Sequence, residues 1–352
     1  MLRFALIGCS KIAKRHAESL RLIADAKLAA VCDLEKTRAD ALGTEHGVPS
    51  YTDYRRMLES EDIDVVTVMT PSGDHAKRVL DLINYGKHIV VEKPMALRLE
   101  DADAIIRGCD EAGIRLFVVK QNRYNRPIQA LRNGLEEGRF GRLVLGTVRV
   151  RWSRDQAYYD SASWRGKWAS DGGVLTNQAS HHLDMLEWMM GDVAEVSAMT
   201  TTRLVNIETE DTAVATLQFA NGALGVIEAT TATRPRDLEG SISILGEKGS
   251  VVVGGFSMDR LVTWQFAESR PEDTSIFETH GANPDEFAWN HREYLRDVVA
   301  AINTGKKALV DGLEGRRSLE LINALYESAE AEAHVSLRFR PKRCRLGIDS
   351  YA

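Results

Sequence analysis

Short apolar runs alternate with amphipathic stretches over about the first 120 residues of the chain. The apolar runs predict buried strands, and the stretches between them repeat apolar residues with the period of a helix face. Strands are predicted at residues 4–7, 28–32, 65–69, 88–91 and 115–119, and helices at 12–23, 37–46, 75–84 and 99–112. Apolar strands separated by helices predict a parallel sheet that is covered on both faces.

The pattern changes after about residue 140, where apolar and polar residues begin to alternate. Such alternation at 143–152 predicts a strand with one buried face, and Asn221-Gly222 predicts the turn of a hairpin between strands 211–219 and 223–231. A further strand pair is predicted at 241–245 and 250–253, with helices at 127–137, 180–190, 287–303 and 313–333. We therefore expect a first domain over 1–121 and an α/β domain on a mainly antiparallel open sheet over 122–352.

Composition and charge narrow the class of protein. A chain of 352 residues exceeds what one hydrophobic core usually serves, which agrees with two domains. The net charge of -6 gives no general attraction to nucleic acid or to anionic lipid. No run approaches the roughly 20 apolar residues of a membrane span, and a strand directly after Met1 leaves no room for a signal peptide.

The cysteines indicate neither a metal site nor a disulfide framework. They are Cys9, Cys32, Cys109 and Cys344, which form no CxxC pair and have no histidine at ligand spacing. Cys9 and Cys32 lie in or beside apolar runs, where buried free thiols are common. We expect a protein without a metal in a reducing compartment, the cytoplasm.

The run Gly8-Cys9-Ser10-Lys11-Ile12-Ala13 follows the first predicted strand and opens the first helix. This is the position of the dinucleotide fingerprint G-x-G-x-x-G/A, in which amides at a helix N-terminus meet a pyrophosphate. Ser10 replaces the middle glycine, which weakens the motif but adds a hydroxyl donor. Gly8, Ser10, Lys11 and Ile12 are the predicted cofactor contacts, and a plain strand-to-helix turn is the alternative.

Asp33 ends the second predicted strand, where a carboxylate would bind the adenosine ribose hydroxyls. A carboxylate at this position repels a 2′-phosphate, so the sequence favours NAD over NADP. The alternative is that Asp33 caps the helix that follows it.

Three further segments complete a family pattern. They are Thr70-Pro71-Ser72-Gly73-Asp74-His75, then Gly86-Lys87-His88-Ile89-Val90-Val91-Glu92-Lys93-Pro94, then residues 171–184, which include Asn177, His181 and Asp184. In this order they resemble the glucose–fructose oxidoreductase/inositol dehydrogenase/rhizopine catabolism family (Gfo/Idh/MocA) over essentially the whole chain. The resemblance implies an NAD-binding Rossmann domain, a second domain whose open sheet mediates oligomerisation, and a cleft between them for a sugar substrate.

Residue by residue, the resemblance implies that Lys93 contacts the reacting oxygen and that His181 is the base. Many members of the family carry an aspartate four residues before that histidine, where this chain has Asn177, which cannot take up a proton. The remaining cofactor contacts that it implies are Thr70, Pro71, His75, Glu92, Lys93 and Gln121.

The chemistry explains these residue types. A histidine of ordinary pKa suits removal of a hydroxyl proton as hydride departs, and an ammonium group stabilises developing alkoxide charge. The alternatives are that Lys93 is a surface lysine, that His181 is a capping or core histidine, and that His182 or Tyr159 carries the proton.

Aromatic and basic residues cluster at 152–168, directly before the catalytic segment. Arginine binds carboxylate or phosphate and aromatic rings stack on sugars or bases, so the cluster predicts an anionic substrate. The predicted substrate contacts are Arg154, Tyr159, Trp164 and Arg165, together with Asn122, Arg123, Lys93, Asn177 and His181. Aromatic residues that merely cover a domain interface are the alternative.

This cluster is similar to that of family members that act in nucleotide-sugar uronate pathways. The similarity implies oxidation of a carbinol to a ketone at C3 of a UDP-N-acetylglucosaminuronate-type sugar by a homo-oligomer, a dimer or tetramer. Two alternatives stay open, an inositol or free-sugar dehydrogenase and an NAD-binding regulatory protein without catalysis.

Overall fold

The first sheet is the parallel sheet that the sequence predicts. The structure is a computed structural model that describes residues 1–337. Its first six strands are β1 (Leu2–Ile7), β2 (Ala26–Cys32), β3 (Ser50–Tyr51), β4 (Val65–Val68), β5 (His88–Val91) and β6 (Leu116–Val118). Their order across the sheet is β3-β2-β1-β4-β5-β6, with every pair parallel. This is the strand order of the Rossmann fold, whose ligands bind at the carboxyl ends of the strands.

Helices cover both faces of this sheet because each carries one apolar stripe. They are α1 (Lys11–Arg21), α2 (Lys36–His46), α3 (Tyr54–Ser60), α4 (His75–Ile83) and α5 (Leu99–Glu111). Two separate buried clusters lie on the two sides of the sheet, one around Ile7, Val68 and Ile105, the other around Phe4 and Leu6. Burial on both faces explains why every residue of β4 is buried, Thr67 included, and why β5 is apolar after His88.

The second sheet has eight strands and one solvent-facing side. Its strands are β7 (Leu143–Arg151), β8 (Val193–Thr201), β9 (Thr212–Phe219), β10 (Leu224–Thr230), β11 (Glu239–Gly246), β12 (Gly249–Gly254), β13 (Arg260–Phe266) and β14 (Val335–Ser336). The order is β13-β12-β11-β7-β10-β9-β8-β14, and only the β10–β7 pair is parallel. The predicted mainly antiparallel sheet is therefore confirmed.

The helices of the second part are α6 (Arg126–Glu136), α7 (Gln156–Asp160), α8 (Ser180–Met190), α9 (Ile276–Thr279), α10 (Trp289–Thr304) and α11 (Gly312–Ala331). Leu183, Met185 and Leu186 of α8 are fully buried in the core under the second sheet. Tyr294 and Leu295 of α10 instead pack with Phe4 and Leu6 of the first sheet. The chain thus crosses back to the first domain after β13 and returns to the second sheet with β14.

The sequence pattern misses the short or weakly patterned elements. The strands β3, β8 and β13 and the helix α3 were not predicted. The predicted domain limit at residue 121 lies at the first residue of a 3-10 turn, Gln121–Tyr124. Among the described residues, no helix combines the length and apolarity needed to cross a membrane. Cys9, Cys32 and Cys109 carry free thiols, and Cys344 lies outside the described residues.

Candidate active site

The loop after β1 has the shape that a bound pyrophosphate requires. Gly8 has a φ of +99°, and a Cβ there would lie 2.6 Å from the Met69 carbonyl oxygen, so only glycine fits. Ser10 and Lys11 are exposed at the N-terminus of α1, whose first turn contains no acidic residue, while Ile12 packs half-buried against the core. An anion at this helix end would meet backbone amides and no carboxylate from the first turn of α1.

Asp33 braces the same loop. Its Oδ2 accepts a hydrogen bond from the Cys9 amide at 2.7 Å and its Oδ1 accepts one from the Glu35 amide at 2.8 Å. The carboxylate is only partly buried, and an ionised carboxylate has about four acceptor positions. Two positions therefore remain for the hydroxyls of an adenosine ribose, and these residues fit NAD.

His75 ties two predicted cofactor segments together. Its Nε2 lies 2.7 Å from the Thr70 carbonyl oxygen and its Nδ1 2.7 Å from the Pro94 carbonyl oxygen. Pro71, between them in the same cleft wall, is exposed. Burial lowers the pKa of His75 although both carbonyl groups favour the charged ring. The structure brings Thr70 and His75 next to the Lys93-Pro94 turn. Both ring nitrogens of His75 face main-chain oxygens of the protein.

Glu92 lies beneath Lys93 in a buried polar group of α1 and α10. Its Oε1 is 2.9 Å from His16 Nε2, and its Oε2 accepts the Lys93 amide at 3.1 Å. His16, Glu92 and His291 each place a possible metal-ligand atom within 4.8 Å of the others, but the hydrogen bond between His16 and Glu92 already uses two such atoms. Burial raises the pKa of Glu92, yet His16 and Lys93 hold it below its ordinary value.

The side chain of Lys93 points from the first domain into the second. Its Nζ donates to the main-chain oxygen of Asn177 at 2.6 Å, which leaves two of its three protons free. Burial lowers the pKa of Lys93, and Lys120 and Arg165 lower it further, while Glu92 and Asp171 act in the opposite direction. The ammonium form of Lys93 is thus poorly solvated, and two of its protons remain available to a developing anion.

His181 lies at the start of α8, one turn after Asn177. Its Nε2 is 3.2 Å from Gln121 Nε2, and its Nδ1 is buried. Gln121 can donate to Nε2 only when the ring proton is on Nδ1, which makes Nε2 the basic nitrogen. Burial and then Lys93 hold the pKa of His181 well below its ordinary value of 6.5, so the ring is neutral near pH 7.

Asn177 lies in a π-helical turn, Val174–Gln178, that precedes α8. The turn is possible because Gly173 lets the chain pass directly against Glu210, where a Cβ would overlap the carboxylate. Glu210 accepts the Leu175 amide at 2.9 Å, and burial raises its pKa to about 7. Turns of this kind occur often at functional sites.

The arginine loop, which we define as residues 161–171, reaches this turn through a tyrosine. Arg165 donates to Tyr158 Oη at 2.5 Å, and Gln178 Nε2 donates to Tyr158 Oη at 2.9 Å and to Asn177 Oδ1 at 2.8 Å. The Arg165 guanidinium also stacks 4.3 Å from the Tyr158 ring and 4.6 Å from the Trp164 ring. Arg165, Trp164 and Asn177 are therefore brought together.

Arg165 differs from its neighbour Arg154 in what neutralises it. Arg154 pairs with Asp237 at 2.9 Å and stacks on Trp152 and Tyr158. Arg165 has no carboxylate within 4.0 Å among residues 1–337, and the nearby Asp171 carboxylate acts on it only from beyond that distance. An unpaired, half-buried guanidinium beside a second cation, Lys93, is a site for an anionic group.

Three predicted substrate residues lie away from this cleft. Arg123 is almost fully buried, with both its Nε and Nη2 at 2.9 Å from Asp184 and its Nη1 at 3.1 Å from Glu314. Asn122 is equally buried. Tyr159 is buried with its hydroxyl 3.1 Å from Thr231, and its neighbour Tyr158 faces the site instead.

Comparison with known proteins agrees with this geometry. The NAD-binding Rossmann-fold model of the Gfo/Idh/MocA oxidoreductase family matches residues 2–120, and the model of the family's C-terminal alpha/beta domain matches residues 132–337. The chain belongs to this family. It is an NAD-dependent oxidoreductase of the kind that acts on sugar CH–OH groups.

Two similar solved structures are WlbA dehydrogenases in complex with NADH and UDP-GlcNAcA. The enzyme from Bordetella pertussis is 42% identical, with a TM-score of 0.92 over 96% of this chain and 98% of that one. The enzyme from Chromobacterium violaceum is 41% identical, with a TM-score of 0.90 over 96% of each chain. The myo-inositol 2-dehydrogenase of Thermotoga maritima is 27% identical over 96% of this chain and 98% of its own length.

The position of Asp33 predicts selectivity between the two nicotinamide cofactors. We expect NAD to bind more tightly than NADP, and Asp33→Ser to narrow the difference because it removes the charge that repels a 2′-phosphate. Calorimetric titration of each cofactor measures the ratio of affinities. Asp62→Ser is the matched control. It removes an exposed carboxylate just before β4, at the amino ends of the strands and so away from Asp33 at their carboxyl ends. Equal or better NADP binding by the unmodified protein would contradict the assignment.

Proposed function

We propose that the protein oxidises C3 of a UDP-N-acetylglucosaminuronate-type nucleotide sugar to a ketone. The observation that carries the proposal is the unpaired guanidinium of Arg165, which a hydrogen-bonded path through Tyr158 and Gln178 links to Asn177 beside Lys93. A neutral polyol gives such an arginine no counter-charge, whereas a uronate carboxylate or a pyrophosphate does.

The reaction follows from the neighbouring side chains. The substrate hydroxyl replaces Gln121 as the hydrogen-bond donor to His181 Nε2 and gives its proton to that nitrogen, and its carbon–hydrogen bond breaks with both electrons leaving as hydride. NAD supplies the hydride acceptor when it is bound. The carbon becomes a ketone, and the proton on His181 passes to solvent. Since the ring is neutral near pH 7, it is in the form that can accept this proton.

Lys93 acts on the oxygen of the same hydroxyl. The ammonium group is shielded from water, and its interaction with developing negative charge is stronger there than in water. The ammonium group also donates a hydrogen bond to the main-chain oxygen of Asn177, so the lysine is held in place before substrate binds. The lysine therefore stabilises the alkoxide character of the transition state.

Relatives with different substrates support a second candidate. The two WlbA dehydrogenases were crystallised with UDP-GlcNAcA, whereas curated relatives at 27% identity include myo-inositol 2-dehydrogenase and D-apiose dehydrogenase. An inositol or free-sugar dehydrogenase is accordingly the alternative. Higher identity over the full chain and the unpaired Arg165 favour the nucleotide sugar.

The substrate is tested by following NADH formation with a panel of alcohols. UDP-GlcNAcA should give the highest kcat/KM. It should exceed that of UDP-GlcNAc, in which a hydroxymethyl group replaces the carboxylate, and those of myo-inositol and free sugars. Lys93→Met should lower kcat by about 10²–10³, the usual loss when one oxyanion contact is removed, with NAD affinity near normal. Arg165→Leu should raise KM for UDP-GlcNAcA far more than for myo-inositol.

Two results would contradict this assignment. A kcat/KM for a neutral polyol that equals that for UDP-GlcNAcA would favour the free-sugar alternative. A fall in kcat of less than threefold in Lys93→Met would remove the lysine from the chemistry.

The pH dependence tests His181 as the base. Because burial lowers its pKa, kcat/KM should rise with pH through a group that titrates below pH 6.5 and should then stay level near neutrality. His181→Asn should remove this limb together with most of the activity. His182→Gln is the control, since His182 is the adjacent buried histidine and its loss should leave the acid limb in place. The opposite outcome, a limb lost with His182 and kept without His181, would transfer the role of base to His182.

We also propose that the protein is a homo-oligomer joined through the open face of its second sheet. That face exposes Met199, Val214, Leu224 and Val226 on the adjacent strands β8, β9 and β10. Exposed apolar rows on a sheet usually mark an interaction surface. The three free thiols agree with the cytoplasm as its location, which cell fractionation would check.

Sedimentation velocity tests the assembly. The unmodified protein should sediment as a dimer or tetramer, and Val226→Lys should shift it toward monomer because the charge would be buried at the contact. Leu34→Lys changes a highly exposed leucine of the first domain and should leave the assembly intact. A monomer at micromolar concentration in the unmodified protein would refute the proposal.

A further inference from the structure

Asp171 is a buried carboxylate between the arginine loop and the catalytic turn, the π-helical turn Val174–Gln178 that carries Asn177. Its side chain is almost fully buried, and it ends the loop that carries Arg165. It lies six residues before Asn177, outside the spacing at which a catalytic carboxylate is expected in this family. It begins the segment 171–184 of the family pattern, but the sequence assigns it no role.

Both oxygens of Asp171 hold a functional segment. Oδ2 accepts the Gly166 amide at 2.9 Å, next to Arg165. Oδ1 accepts a hydrogen bond from Asn177 Nδ2, and the main-chain oxygen of Asn177 in turn receives the Lys93 ammonium at 2.6 Å. One carboxylate therefore connects the residue that would bind the substrate anion to the residue that would meet the reacting oxygen.

We propose that Asp171 is the positioning carboxylate of this active site, which orients Asn177 beside Lys93 and fixes the arginine loop to the catalytic turn. The negative charge that many relatives carry four residues before the base histidine is here supplied from residue 171, through the amide of Asn177. The proposal rests on the proposed dehydrogenase chemistry and adds to it a residue that controls Lys93.

The charges around Lys93 support this role. The charged and titratable groups that act on Lys93 or respond to it are Glu92, Asp171, Lys120, Arg165 and His181. Only Glu92 and Asp171 among them favour the ammonium form. Burial raises the pKa of Asp171, while the Gly166 amide, Asn177 and Lys93 favour its ionised form. Loss of the Asp171 charge should therefore lower the pKa of Lys93.

Hydrogen-bond chemistry makes an exchange of the two side chains informative. A carboxylate accepts at both oxygens, so it satisfies the Gly166 amide and Asn177 Nδ2 together. The Asn side chain has one acceptor oxygen and one NH2 group. In Asp171→Asn the NH2 group would face either the Gly166 amide or Asn177 Nδ2, and that donor would lose its acceptor. In the double variant Asp171→Asn, Asn177→Asp the new amide can accept from Gly166 and donate to the new carboxylate, which restores both bonds and the charge.

The experiment compares the single and the double variant with UDP-GlcNAcA as substrate. Asp171→Asn should lower kcat about tenfold to a hundredfold, the cost of a hydrogen bond to a charged group. Since deprotonation of Lys93 should make kcat fall at alkaline pH, the variant should also move this alkaline fall to lower pH. The double variant should regain most of kcat and the original alkaline limb. Asp211→Asn is the control, because Asp211 is equally buried and accepts the Arg203 and Leu204 amides, and its kcat should change less than twofold.

A second measurement does not depend on the substrate. The ¹³C NMR signal of Lys93 in protein labelled with [ε-¹³C]lysine, assigned with Lys93→Met, reports the lysine pKa directly. It should fall in Asp171→Asn, return in the double variant, and stay unchanged in Asp211→Asn. If no nucleotide sugar is oxidised, the proposed substrate fails while this titration still tests Asp171.

Two outcomes overturn the role of Asp171. One is an Asp171→Asn protein whose kcat stays within twofold and whose Lys93 titration is unchanged. The other is a double variant as impaired as the single one, both in kcat and in the titration of Lys93, when both variants melt at the temperature of the unmodified protein. Asp171 and Asn177 would then not act through their shared charge and hydrogen bond.

Discussion

The active site depends on keeping one ammonium group charged where little water reaches it. Removal of Lys93 from solvent disfavours its charged form, and an unpaired buried charge is costly to a fold. The chain offsets this cost from both domains, with Glu92 below the lysine, the main-chain oxygen of Asn177 at its tip and Asp171 behind that residue. The architecture around the cleft follows from this requirement.

Burial and the same lysine act together on the neighbouring histidine. Burial first, and then positive charge from Lys93, disfavour the protonated form of His181, so in the proposed reaction the lysine that attracts the alkoxide also helps to keep the base able to accept a proton. Binding of an anionic sugar beside Arg165 would bring a third charge into the group. Burial lowers the pKa of both Lys93 and His181. Because the ordinary pKa of lysine is higher than that of histidine, the proposed roles are a charged lysine and a neutral histidine base.

Local patterns in the sequence were enough for most of the fold. Continuous apolar strands and helix-period stretches give the parallel sheet, and the Asn221-Gly222 turn gives the β9–β10 hairpin. The strand β8 was missed because its last residues, such as Thr200 and Thr201, are exposed and polar. The two residues of β3 are too short to carry a pattern. Such segments become strands because they pair with neighbours that are distant in the sequence, and a short stretch of sequence does not contain that information.

The site shows the same division between local and distant contacts. Lys93 and His181 could be proposed from the sequence because their motifs are contiguous, whereas the role proposed for Asp171 depends on contacts that folding creates. Arg123 shows how position alone misleads, since it follows a strand end that faces the cleft but turns inward to Asp184, a residue 61 positions away. A buried carboxylate captures the guanidinium before a ligand can, because bidentate pairing in a dry interior outweighs exposure to a cleft. Polar residues at such a strand end therefore divide into ligand contacts and core ion pairs according to which carboxylate the second domain brings next to them.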